Sequence, residues 1–91
     1  MAIKFTARHM VGGTEHEHIA SLRWVQDGTT DTKSNTREEL VDWFQVKGGE
    51  GYVLDGAGHK AIVKVVDATP PYLRTQSDGV WTNNLLALPT Y

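Results

Sequence analysis

Ninety-one residues with a formal net charge of −2 and a pI near 6.0 make room for one small domain, residues 1–91, with no overall attraction for polyanions. A hydrophobic fraction of 40% and a charged fraction of 22% are those of a soluble globular chain rather than a disordered one. With no cysteine, disulfides and thiolate chemistry are excluded and a cytosolic (cytoplasmic) setting is favoured; no apolar run nears the roughly 20 residues of a membrane span, and no signal-peptide layout opens the chain.

Ile3 to Met10 alternates, with Ile3, Phe5 and Ala7 on one side and Lys4, Thr6 and Arg8 on the other. That predicts a half-buried strand. Gly12-Gly13-Thr14 breaks it, and His18 to Gln26 resumes the pattern with Ala20, Leu22 and Trp24 inward and Ser21 and Arg23 outward. The short connection predicts an antiparallel pair. Gln26 to Asn35 has no periodicity and is rich in Asp, Thr, Ser, Gly and Asn, so it reads as a mobile loop.

Thr36-Arg37-Glu38-Glu39 has capping-box spacing, and Leu40, Trp43, Phe44 and the stem of Lys47 recur at helical steps. Gly48-Gly49 is the natural stop for that helix. Tyr52 to Leu54 predicts a short strand, Asp55-Gly56-Ala57-Gly58 a turn, and Ala61 to Val66 a returning strand whose Lys64 faces solvent. Pro70-Pro71 then forces an extended entry to Tyr72-Leu73-Arg74-Thr75. Ser77-Asp78-Gly79 supplies a tight turn, Val80-Trp81 a return strand, and Leu85-Leu86-Ala87-Leu88 an apolar run stopped by Pro89. So many apolar and hydrogen-bonding side chains predict a docked segment, not a frayed one. The elements add up to an α+β fold in the order ββαβββ. It is a twisted antiparallel sheet of about five strands with one helix across one face.

Gly12-Gly13-Thr14-Glu15-His16-Glu17-His18-Ile19, Leu40-Val41-Asp42-Trp43, Pro71-Tyr72-Leu73-Arg74-Thr75 and the stretch from Asp78 to Pro89 together resemble a small family of proteins of unknown function from bacteria and their phages. The resemblance covers nearly the whole chain. It implies a single fold unit of bacterial or phage origin and brings no catalytic residue and no cofactor.

Four groups of residues are candidate sites. In an extended strand His16 and His18 would face one way, and two imidazoles so placed can share a transition metal, with Glu15, Glu17 or His9 completing the set. The bland alternative is a hydrogen-bonded His18 at a strand entrance and a solvated His16. Arg74 beside Tyr72 has the chemistry to clamp a carboxylate or phosphate, against a structural pairing with Asp42, Asp78 or a carbonyl of the closing segment. Trp24 and Trp81 are core residues or members of an exposed hot spot, whereas Trp43 belongs to the helix stripe. Lys4, Arg8, Arg23 and Lys64, all outward by alternation, would make a basic strand face for single-stranded nucleic acid.

No nucleophile elbow, phosphate loop or facing carboxylate pair is present. The expectation is therefore a non-catalytic interaction module without a cofactor, binding a host or regulatory protein or a second copy of itself. Its candidate surfaces are the exposed strand face and the loops around Gly28 and Asp78. Nucleic-acid binding through the basic face is the alternative, and metal binding through His16 and His18 a weaker one.

Overall fold

The structure, a computed structural model, describes residues 2–54, 58–77 and 79–91. It is α+β, with strands β1 (Ala2–Met10), β2 (Ile19–Gln26) and β3 (Thr32–Thr36), then helix α1 (Arg37–Val46). Strands β4 (Glu50–Leu54), β5 (Lys60–Val66), β6 (Tyr72–Ser77) and β7 (Val80–Thr82) follow, with 3-10 turns at His16–His18 and Asn84–Ala87. All the strands join one seven-stranded sheet in the order β3-β2-β1-β4-β5-β6-β7.

The sheet is larger than the expected five strands, and it is mixed. Residues 26–35, read as a loop, contain most of β3, which pairs antiparallel with β2 from Ser21↔Thr36 to Val25↔Thr32. A strand at the sheet edge can be polar on both faces because one flank meets water, so Thr32-Lys33-Ser34-Asn35 gives no apolar alternation to read. The second departure is β4, which lies parallel to β1 with Ile3 opposite Gly51. The hairpin logic that predicted antiparallel pairs holds for neighbours in sequence. Here α1 separates the two strands and carries the chain back to the end where β1 starts. The turn residues Asp55, Gly56, Ala57 and Asp78 lie outside the described residues.

Helix α1 forms as its sequence directs. Thr36 is extended, its hydroxyl accepts from the Glu39 amide, and the Glu39 carboxylate accepts from the Thr36 amide at 3.0 Å. Leu40 and Val41 are buried, Trp43 and Phe44 half-buried, and Lys47, exposed, closes the last turn as C-cap. Gly48 then takes a φ of 64°. Gly49 has a second role beyond stopping the helix, since a Cβ there would run into the Trp43 indole.

Side chains alternate along each strand, so register sorts them into two faces. Ile3, Phe5, Leu22, Val53, Val63 and Leu73 form the core with Leu40, Val41 and Leu85. The core also holds Ile19, where alternation put Ala20 inward. A register shift between His9 and Met10 pairs Met10 with Ile19 and His9 with Ser21, leaving Ala20 unmatched. One extra residue in a strand reverses the facing of what lies beyond it. Leu85, on the second 3-10 turn, is fully buried, which ties the closing segment down as the sequence predicts.

Candidate functional site

The sheet face away from the core has a central row that register defines. Lys4 sits beside Tyr52, Tyr52 opposite Ile62, Ile62 opposite Gln76, and Gln76 opposite Trp81. One step of the pleat along the strands, Leu54 faces Lys60 on one side of this row and Lys64 faces Arg74 on the other. The burial pattern confirms that this face is the open one, since β5 reads exposed at Lys60, Ile62 and Lys64 and buried at Ala61 and Val63. Three large apolar side chains remain in water: Ile62 at 43%, Leu54 at 41% and Trp81 at 40% of their full exposure. Ile62 and Trp81 are two strands apart, about 10 Å at normal strand spacing.

Tyr52 lies under this surface rather than on it. Its hydroxyl donates to Asp27 Oδ1, which pushes the phenol pKa up, and the Lys60 ammonium stands 4.4 Å from its ring centre. With its outer face capped by a cation, that ring is closed to a stacking base. Lys60 and Lys64 stand on either side of Ile62 along β5 and Lys4 lies beyond Tyr52, and Glu50, two residues before Tyr52, shares their face by alternation. On α1 the acids Glu38, Glu39 and Asp42 are exposed, with Arg37 bridged to Glu38 and Lys47 exposed at the C-cap.

The residues singled out from sequence divide between two places. Trp81, Arg74 and Tyr72 share the open face at its β6–β7 end. Arg74 is half-buried; its Nε donates to the Thr82 carbonyl at 3.2 Å and its NH2 to Asn83 Oδ1 at 3.3 Å, so it locks the closing segment to β6. Arg8 and Arg23 do not stand free on a basic strand face as expected. Arg8 Nε donates to the Leu88 carbonyl at 2.9 Å, and the Arg23 guanidinium lies 4.1 Å from the centre of the Tyr91 ring. Both hold residues 88–91 along β1, where the Arg8 amide donates to the Pro89 carbonyl and the Tyr91 amide to the Arg8 carbonyl. Trp24 is on the core side, half-buried, with its indole N–H on Asn35 Oδ1 at 2.8 Å and Lys33 over its ring.

The histidine pair has a different geometry from the extended one that the metal reading rests on. Residues 16–18 form a 3-10 turn; His18 Nδ1 accepts from the Glu15 amide at 3.2 Å, and its ring packs over Gly13. His16 points inward, 7% exposed rather than solvated, and its Nε2 has no hydrogen-bond partner. The i, i+2 alignment of imidazoles is not formed, because a 3-10 turn rotates successive residues by about a third of a revolution. Among the described residues no group of three or more His, Asp or Glu side chains is placed to hold a metal ion.

Sequence reasoning missed Ile62, Leu54 and Lys60. A signal for Ile62 was there: Lys64 was read as solvent-facing, and a period of two puts Ile62 on the same face. The apolar run Ala61-Ile62-Val63 hid it.

Among the described residues no helix is long and apolar enough to cross a membrane. Searches of curated proteins and of solved structures find no match to the chain. A family profile described as Protein of unknown function (DUF3892) matches residues 2–89, a span that takes in every element from β1 to the second 3-10 turn. On that match the chain belongs to the DUF3892 family of proteins of unknown function.

Proposed function

We propose that this is a small non-catalytic interaction module that binds a protein partner through the open face of its sheet. The observation that carries the reading is the trio Leu54, Ile62 and Trp81, exposed together on a face that neither the helix nor the 3-10 turns cover. Exposed apolar side chains on one sheet face, a tryptophan among them, are what interface hot spots are made of. A bacterial or phage origin would make the partner a host or regulatory protein. The test is affinity capture of the tagged chain from bacterial lysate after nuclease treatment, run beside an Ile62→Ser/Trp81→Ser variant. A protein retained by the wild type and lost by the variant supports the module. Equal capture by both removes the open face from the account.

A second reading has one observation in its favour: Lys4, Lys60 and Lys64 lie on the same face. A single nucleic-acid strand could follow them. Two of the four basic residues expected there are engaged with residues 88–91, however, and the Tyr52 ring is capped. Fluorescence anisotropy with an oligothymidine strand at low and high salt decides it, since phosphate binding weakens steeply with salt.

A further inference from the structure

Three features of the open face bear on what kind of protein surface fits it. The exposed apolar side chains are aliphatic at two of three positions, Leu54 and Ile62, with a single indole, Trp81. A base-stacking platform needs several free aromatic faces, and this one offers few. The flanking charge is cationic: Lys60 lies opposite Leu54, Lys64 is two residues from Ile62, and Lys4 closes the row beyond Tyr52. Three acids, Glu38, Glu39 and Asp42, lie away from the open face on the exposed side of α1. Among the described residues near the face, the Asp27 carboxylate is engaged by the Tyr52 hydroxyl, and Glu50 stands one pleat step from Tyr52 on the Lys64 side.

Resting on the interaction reading above, we propose that the occupant of the open face is an acidic segment of a partner protein. Its apolar side chains seat between Leu54, Ile62 and Trp81, and its carboxylates pair with Lys4, Lys60 and Lys64. Anchoring comes from the apolar trio, because desolvated apolar contacts carry most of an interface's energy. Selection comes from the lysines, because charge around the rim governs encounter and rejects like-charged competitors more than it adds affinity.

A random peptide-display library panned on the full chain and on a Lys60→Glu/Lys64→Glu variant tests this. The altered side chains are exposed, and thermal melts establish that the variant folds. Expected are wild-type selections rich in Asp and Glu with interspersed Leu, Phe or Trp. Binding of the selected peptides should drop at least tenfold in an Ile62→Ser variant, and the charge-reversed protein should select basic sequences instead. Peptides that depend on Ile62 but are neutral or basic on the wild type overturn the acidic partner and leave the interaction module standing. Peptides indifferent to Ile62 and to the lysines, or none at all, overturn both. Tight, salt-sensitive oligothymidine binding lost in the charge-reversed variant overturns both in favour of nucleic acid.

Discussion

Burial and, next to it, the Arg74 guanidinium hold the His16 pKa below the usual imidazole value, while Glu15 and Glu17 pull the other way. An unfolded chain takes up this proton near pH 6.5, whereas the folded one keeps the ring neutral to lower pH. The group's contribution is therefore intact above about pH 6.5 and is lost as pH falls through the folded-state value. The melting temperature should decline from pH 7 to pH 5, and His16→Leu should flatten that decline by removing the titrating ring. Thermal melts across the range check it, and an unchanged slope in the variant would move the effect to another group. Gly51 makes a steric demand of similar locality. A Cβ there would meet the rings of Phe5 and Phe44, which close over β4 from β1 and α1. Gly51→Ala should cost about 1–3 kcal/mol by overpacking, read from a denaturant midpoint.

Among the elements, those whose partners are close in sequence or whose caps are local were legible, and the others were not. The capping box at Thr36, the β1–β2 hairpin and the alternation of Val63, Lys64 and Ala61 are written in neighbouring residues. β3 is a strand because β2 offers it a free edge, a fact about β2 rather than about Thr32 to Thr36. The Glu15 to His18 stretch was misread because its 3-10 conformation depends on His16 finding room in the core and on Arg37 reaching the Glu17 carbonyl from the helix. The closing segment tests the same idea from the other side. Leu85 is fully buried, and the Asn84 amide donates to the Thr75 hydroxyl at 3.2 Å, so this short turn is held by tertiary contacts. Leu85→Ala should cost about 2–5 kcal/mol, as for a large core side chain, with loss of cooperativity on thermal melting visible if the segment detaches first. A cost below about 1 kcal/mol would mean the segment is only loosely docked.

At the scale of the whole molecule, a sheet with one covered face leaves the other open, and the composition could not reveal which charged side chains stand on it. A net charge of −2 is a sum. The separation of Lys4, Lys60 and Lys64 from Glu38, Glu39 and Asp42 follows from register, and register follows from which strands pair. Trp81 was singled out from sequence and stands on that face; Arg74, singled out for ligand chemistry, stands there too, with its Nε donating to the Thr82 carbonyl. The site became readable only when β4 to β7 were set side by side.

The position of residues 88–91 beside β1 has a consequence for how the protein is made. The Arg8 side chain and the Leu88 carbonyl are separated by 80 residues, and His9 and Tyr91 by 82. Ribosomes deliver the amino end first, at about 5–20 residues per second. During that interval β1 and β2 can form a hairpin, but the other flank of β1 stays open until β4 and then residues 88–91 emerge to cover it. Closing contacts across so much chain is slow, and an open strand flank is an invitation to neighbouring nascent chains. Leu88 to Tyr91 thus act as a seal on the flank of β1, and a chain without them would leave that flank open to neighbouring strands.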